Sequence, residues 1–528
     1  MRTKYFIGEL KQYAVSFVIV FSLFLGTTEL IARVFTVSGS FDYIERMIIE
    51  QGLKPKKNPG EYRIFLFGES TMHGNHLYPK STIKRWIELY LENLLGEEKA
   101  RNVRVVNLAR LGVSSDFITE AFEDTCVYKP DLVVFYSVHN DFVQLENRKD
   151  FLRPKSWKDA TARFFQRLMK KSCFVSAVKR AAVAAKLRQK AKSLPQDDWY
   201  PEKERKVYDP EHDLLDPATE DFKKIRDNWE NNIRTIVASA KKSHIGLIFF
   251  SGLAKYKKYA PFYSVHKKNI TGEALLRWQE IDQAAQHQFD AGEYARSADL
   301  YKKCLDIDPQ YALTYFRLGQ SYEALQDFES ANRFYKSGNE KDFFPLRAPA
   351  VVNAFYQELA QREASVFIIP TQSLFEKHSP QGMVDDGLVL DQIHPTVKGQ
   401  ALMAMEIVQW LYKNNQIAPA NAWQWSNLKS VEALSQQLNI DEEFEFKMYL
   451  SSAVYVGSYF KEAIGYLNKA LEIHPESLAA RSHLAWCYWE LGEKKKALDL
   501  YKKLNQENPA EAEKFFKRHP EIKEMTAK

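Results

Sequence analysis

Five short apolar runs recur along the chain: RIFLF (63–67), VRVVNL (103–108), DLVVFYS (131–137), IGLIFFS (245–251) and SVFIIPT (365–371). Each is rich in Val, Ile and Phe and lacks the alternation of a strand with one wet face. Runs of this kind read as strands covered on both sides, as in a parallel sheet. The stretches between them, such as IKRWIELYLENLLG (83–96) and DNWENNIRTIVASAKK (227–242), have helical length and period. The alternation predicts a doubly wound α/β fold built on a five-stranded parallel sheet, with functional groups at the carboxyl ends of the strands.

Two segments break this rhythm. From about residue 276 to 345 an internal repeat appears, with Tyr294 and Phe328 34 positions apart and Tyr301 and Tyr335 at the same interval. The C-terminus repeats the pattern, pairing Ala463 with Ala497 and Pro475 with Pro509. A 34-residue period carrying Leu-Gly or Leu-Ala, Tyr, Gly, Ala, an aromatic and Pro in order resembles the tetratricopeptide (TPR) repeat. Small residues such as Gly319, Ala331, Ala485 and Ala497 suit the close approach of paired helices. Arrays of this type present concave surfaces to peptides or other chains, so a protein partner is expected.

Residues 153–192 hold thirteen Lys or Arg against one acid, Asp159, and place Phe164, Phe165, Leu168, Met169, Val175 and Val178 near helical spacing. A basic amphipathic helix on an anionic membrane surface fits this pattern, as does a solvated helix packed on the protein body. A membrane is also suggested by QYAVSFVIVFSLFLGTT (12–28), which is uncharged and continues apolar through Leu30, Ile31 and Ala32. That length crosses a hydrocarbon core of about 30 Å. Arg2, Lys4 and Lys11 precede it, which puts the N-terminus in the cytoplasm and the remainder in the periplasm or outside the cell. The absence of a small-x-small site after the run favours an uncleaved anchor over a signal peptide. The net charge of +6 is small for 528 residues, and no nucleic-acid partner is expected. Cys126, Cys173, Cys304 and Cys487 show no metal or disulfide-framework spacing and read as small apolar residues.

The first strand ends in IFLFGESTMHG (64–74), delivering Ser70 to the functional edge. A serine hydroxyl needs a base, a group that orients the base, and donors for an oxyanion. NLARLGVSS after the second strand offers the Gly112 backbone N–H, and YSVHNDF after the third offers the Asn140 amide. After the fifth comes DQIHPTVKGQALMAMEIVQWL, where Asp391 stands three residues before His394. Such a turn lets the carboxylate hold the imidazole in the tautomer that takes a proton from serine. His73, His76 and His139 fit no usual zinc spacing and read as substrate contacts or as nothing functional. No metal or cofactor is expected. Asp385 and Asp386 read as loop acids near the mouth of the site.

In order, FGEST, NLARLG, VHND and DQIHP resemble the four blocks of the SGNH (GDSL-type) hydrolase family, over roughly 61–150, 221–274 and 346–414. The resemblance implies Ser70 as nucleophile, His394 as base and Asp391 as its orienting acid. It implies an oxyanion hole from the Ser70 and Gly112 backbone N–H groups and the Asn140 side chain. Three departures stand out: Glu69 replaces the usual Asp, Val138 replaces a Gly two residues before Asn140, and ARLG replaces a more glycine-rich stretch.

The expected organisation is a cytoplasmic N-terminus (1–12), a transmembrane anchor (13–35), a linker (36–60), a hydrolase domain in two parts (61–274 and 346–414), a TPR insertion (275–345) and C-terminal TPR repeats (425–528). The expected function is a membrane-anchored serine esterase or acyl-group transferase outside the cytoplasm, acting on an ester of a lipid or a lipid-linked polysaccharide. The alternative is a tethered TPR scaffold carrying a relic hydrolase fold; relics usually lose a triad member, and all three are present here.

Overall fold

A computed structural model describes residues 39–143, 214–457 and 459–518. The expected anchor (13–35) and basic segment (153–192) lie outside them. Among the described residues no helix is long and apolar enough to cross a membrane. The chain divides into two compact units. One comprises Met1–Lys57, Thr119–Lys129 and Lys149–Val207, and the other Asn58–Ile118, Pro130–Arg148 and Tyr208–Lys528. Within the described part of the first, the Gly39–Glu50 helix buries Ile44 and Ile48, and the Tyr128 hydroxyl donates to both Glu45 carboxylate oxygens at 3.0 and 3.1 Å.

The second unit is built on five strands, β1 (Tyr62–Gly68), β2 (Val103–Asn107), β3 (Leu132–Tyr136), β4 (Gly246–Phe250) and β5 (Val366–Ile369). Every neighbouring pair is parallel, in the order β2-β1-β3-β4-β5. The five apolar runs of the sequence are these strands. Their continuity has a physical cause: β1 and β3 are buried on both faces, with Ile64, Phe65, Leu66, Val133, Val134 and Phe135 wholly inaccessible. Phe67, Phe135 and Phe249 stack across three strands, with ring centroids 5.5 and 5.0 Å apart. At the sheet edge the cover thins, and Phe367 of β5 is 40% exposed.

The strand order reverses on either side of β1, so the carboxyl ends of β1 and β3 flank a crevice of the kind in which open α/β sheets place their sites. Gly68 closes that crevice at its base. A Cβ there would lie 2.5 Å from the Tyr136 carbonyl oxygen and 2.7 Å from Met72 Cβ, so only glycine lets the two strand ends meet.

Four helices stand between β4 and the helix leading into β5: Gly272–Asp290, Tyr294–Ile307, Ala312–Ala324 and Phe328–Asn339. They pack through Ala285, Ala298, Tyr301 and Leu318, and Phe316, Ala331 and Tyr335 join Ala254 and Tyr256 of the segment after β4. Gly319 is a contact point, since a Cβ would come within 2.7 Å of the Tyr335 ring. After the Val397–Lys413 helix, further helices run from Glu442–Tyr455 through Phe460–Ile473, Leu478–Glu490 and Lys494–Glu507 to Pro509–Arg518. Their core of Ala453, Ala463, Leu467, Ala470, Leu484 and Cys487 also takes in Tyr259, from the segment that follows β4. The C-terminal helices thereby share buried surface with the segment beside the sheet. Cys304 and Cys487 are buried, and burial pushes both thiols up to about 12.

Candidate active site

Ser70 opens a four-residue helix directly after β1 and is partly exposed. Two structural ties hold it against the chain that follows β5. The Gln400 amide donates to the Thr71 carbonyl at 3.1 Å, and the Thr71 hydroxyl donates to the Ile393 carbonyl at 3.4 Å. The result is a 2.7 Å contact between Ser70 Oγ and His394 Nε2, across 324 positions of sequence.

Asp391 and His394 lie in a tight turn. The Leu390 N–H donates to the His394 carbonyl at 2.8 Å, and Val389 pairs with Pro395. Asp391 Oδ1 accepts from the Ile393 and His394 N–H groups at 2.8 and 2.9 Å, leaving Oδ2 for His394 Nδ1 at 2.7 Å. Thr396 then caps the Val397–Lys413 helix. Asp391 is wholly buried and His394 1% exposed. Burial pushes the Asp391 carboxyl up, but the charge of His394 and the hydrogen bonds from His394 and His76 outweigh it and hold the group well below the usual carboxylate range. An ionised carboxylate only accepts, so His394 Nδ1 carries a hydrogen, and in the neutral ring Nε2 offers a lone pair to Ser70.

Lys255 supports this turn from the β4 side. Its backbone N–H donates to the Gln392 carbonyl at 2.8 Å, and its buried ammonium donates to the Val389 and Leu390 carbonyls at 2.8 and 3.1 Å and to Asp386 at 2.8 Å. Burial lowers the Lys255 pKa against the opposing pull of Asp386. Asp386 is therefore an ion-pair partner of this lysine.

Glu69 proves structural in a way that its residue type did not announce. It is wholly buried, and its carboxyl oxygens accept from the backbone N–H groups of Val138, His139 and Asn140 at 2.9 to 3.3 Å. That ties the residue before Ser70 to the turn after β3. Val138 fits this turn without a left-handed backbone, which among the described non-glycine residues occurs elsewhere. The Ser137 carbonyl is fixed in turn by Trp229 Nε1 at 3.0 Å and the Tyr356 hydroxyl at 3.3 Å.

Asn140 donates from Nδ2 to the Val113 carbonyl at 3.0 Å, and Asp141 accepts from the Ser115 N–H and hydroxyl at 2.9 and 2.6 Å. Gly112 occupies the intervening turn with φ +69° and is exposed. The Gly112 loop and Asn140 are thus brought to one another. Among the described residues no hydrogen bond joins either to Ser70, and a role in binding an oxyanion belongs to the proposal below. Burial, then the nearby Asp141, pushes Glu69 up to about 8, and burial pushes Asp141 up to about 7. Burial also lowers His73 to about 4 and His139 to about 3, leaving both neutral near pH 7.

His76 is the residue whose place the sequence did not reveal. Its Nε2 stands 3.2 Å from the same Asp391 oxygen that holds His394, and its ring lies edge-on to His394 with centroids 5.2 Å apart. His76, Asp391 and His394 are also a group whose donor atoms lie within 4.8 Å of one another, as a metal site requires. The 2.7 Å separation of His394 Nδ1 from Asp391 Oδ2 is that of a direct hydrogen bond, too short for an ion held at about 2.0–2.2 Å from each ligand at tetrahedral angles.

Residues 460–521 match the family model described as tetratricopeptide repeat. No curated protein matches the chain. Among solved structures, the chain is similar to a GDSL-like lipase from Bacteroides thetaiotaomicron, at 11% identity over 71% of this chain and 99% of that one, with a TM-score of 0.28. It is similar to an acetylxylan esterase from Geobacillus stearothermophilus at 12% identity, 66% and 93% coverage and a TM-score of 0.27. It is also similar to a TPR protein from Thermus thermophilus at 15% identity, 46% and 98% coverage and a TM-score of 0.14. At scores this low the likenesses carry no argument about chemistry, which has to come from the residues themselves.

Proposed function

We propose that the chain is a serine hydrolase of ester bonds, of the SGNH type, working through Ser70, His394 and Asp391. The observation that carries this reading is the unbroken chain of 2.7 Å contacts from Ser70 Oγ through His394 to an ionised, buried Asp391. Ser70 Oγ attacks the ester carbonyl as His394 Nε2 takes its proton. The oxyanion is held by the backbone N–H groups of Ser70 and Gly112 and by Asn140 Nδ2, each donor contributing about 3 kcal/mol to the barrier reduction. Protonated His394 then returns the proton to the departing alkoxide. The acyl-Ser70 ester is released to water in an esterase, or to an acceptor hydroxyl in a transferase, with His394 again serving as base.

In this reading the apolar N-terminal run anchors the protein in a membrane with the hydrolase unit outside the cytoplasm, as the preceding Arg2, Lys4 and Lys11 support. The substrate is an ester of a lipid or a lipid-linked polysaccharide, and the repeats recruit a protein partner. The test is direct. Full-length protein in detergent should label with a fluorophosphonate probe and release p-nitrophenol from short acyl esters, and Ser70→Ala should abolish both. Undiminished turnover in that variant would remove Ser70 from the reaction. Comparing acetyl with long-chain esters, with and without anionic liposomes, separates glycan from lipid substrates.

A further inference from the structure

The Asp391 carboxylate serves two imidazoles. His394 Nδ1 and His76 Nε2 meet the same Oδ2, at 2.7 and 3.2 Å. On its far side His76 Nδ1 stands 2.7 Å from Oγ of Ser451, in the Glu442–Tyr455 helix that leads into the C-terminal repeats. Only one assignment of hydrogens suits a neutral His76 here. Both ring nitrogens facing the carboxylate carry N–H, so His76 Nδ1 accepts and the Ser451 hydroxyl donates. Burial favours that neutral ring, opposed by the hydrogen bond to Asp391. Two serine–histidine arms therefore meet on one carboxylate oxygen.

The arms are not equivalent. Ser451 lies inside a 14-residue helix, where its backbone N–H is committed to the helical ladder, whereas Ser70 follows a strand end at the crevice. The His76 arm is therefore suited to holding Asp391 rather than to reacting. The groups facing His76 are Asp391, the His394 ring, the Tyr455 ring edge-on at 5.3 Å between centroids, and Asn75 Nδ2, which lies 3.3 Å from His76 Nε2 and 3.4 Å from His394 Nε2 and, with His76 Nε2 carrying hydrogen, can donate only to His394. Tyr455 stands edge-on to His394 as well, at 4.7 Å, so one helix touches both rings.

We propose that His76, held by Ser451, is a positioning residue for Asp391, and that the Glu442–Tyr455 helix is thereby a working part of the catalytic base. This rests on the reading of Ser70 and His394 as nucleophile and base. A second N–H on Oδ2 fixes the carboxylate and withdraws part of its charge from His394. Without it, the carboxylate draws more strongly on the His394 proton, and the imidazole becomes more basic.

The experiment compares full-length wild type with His76→Phe, which keeps ring shape without the N–H, and with Ser451→Ala and Ser451→Thr. Turnover of a p-nitrophenyl ester and the rate of fluorophosphonate labelling are followed across the pH range in which imidazole titrates. His76→Phe should lower kcat about tenfold with KM unchanged, the order expected of one hydrogen bond to a charged group. Its acidic limb should move to higher pH. Ser451→Ala should shift kcat and the limb the same way by less, and Ser451→Thr should restore them. A residue that only stabilised the fold would leave the limb where it is. Wild-type kcat and an unmoved limb in both His76→Phe and Ser451→Ala would overturn the proposal while labelled wild type still stood for Ser70. If His76→Phe does not fold, the Ser451→Ala limb decides alone. Wild type that takes no label would remove the Ser70 reading and this inference with it.

Discussion

Replacing Asp391 by Asn isolates the charge from the shape. Oδ1 accepts from the Ile393 and His394 N–H groups, so the new amide keeps its oxygen there and presents its NH2 where Oδ2 stood. That NH2 confronts two ring nitrogens, at 2.7 and 3.2 Å, which both carry hydrogen in the native arrangement. His394 escapes the conflict by adopting the other tautomer, with Nδ1 accepting and Nε2–H turned to Ser70. The hydroxyl then faces a donor and has nowhere to send its proton. Loss of a hydrogen bond to a charged group is worth about 1.5–3 kcal/mol. The tautomer penalty adds about 2 kcal/mol, the order of one buried group left unpaired. Together these make about 3.5–5 kcal/mol, or about two and a half to four decades of kcat. A comparable inversion in a serine protease costs about four decades. The assay is kcat on a p-nitrophenyl ester, with thermal melting to show that the protein is folded. A loss of less than tenfold with the melting temperature unchanged would refute the assignment of Asp391 as the group that sets the His394 tautomer.

Three further outcomes are expected. Lys255→Met keeps the aliphatic stem but leaves the buried Val389 and Leu390 carbonyls without their donor; at about 1–3 kcal/mol each, urea unfolding should show a loss of about 2–6 kcal/mol. Glu69 and Asp141 have folded pKa values, about 8 and about 7, above those of the unfolded chain, so the folded state holds more protons and stability is lost as pH rises from the unfolded carboxyl range of about 4 up to these values. His73 and His139, lowered to about 4 and about 3, oppose this only below about pH 6.5. The melting temperature should therefore fall between about pH 7 and about pH 8, where the slope is about 1.4 kcal/mol per unit for each group still titrating. Asp141→Asn, which can keep both contacts with Ser115, should flatten that fall, and a rise in the wild type would contradict it. Gly319→Ala puts a Cβ 2.7 Å from the Tyr335 ring and should destabilise the inserted helices by about 1–3 kcal/mol, read as earlier proteolysis within residues 272–339.

The strands were legible because burial on both faces leaves no polar alternation, and the repeats because their helices recur at a fixed interval. Ser70, Asp391 and His394 stood out for local reasons, one at a strand end and two in a short turn before a capped helix. His76 carried no such mark: its partners are 315 and 375 positions away, and nothing near it in sequence announces a second imidazole on Asp391. Ser451 and Tyr455 stand in no motif, and only the fold sets Ser451 beside His76 and Tyr455 beside both rings. Lys255 and the backbone contacts of Glu69 are hidden in the sequence for another reason. Charged side chains usually stay in water, and only the packed structure shows these two spent on backbone groups of the turns they secure. Gly112 and Asn140 were named from the order of the motifs, and what the structure adds is the clasp between their loops.

Because the inserted helices lie between β4 and β5, Ser70 and His394, which meet in the folded chain, are made far apart in time as well as in sequence. Ser70 leaves the ribosome early, but His394 follows only after the whole helical insertion has been synthesised. A nascent or prematurely terminated chain therefore carries the hydroxyl without its imidazole.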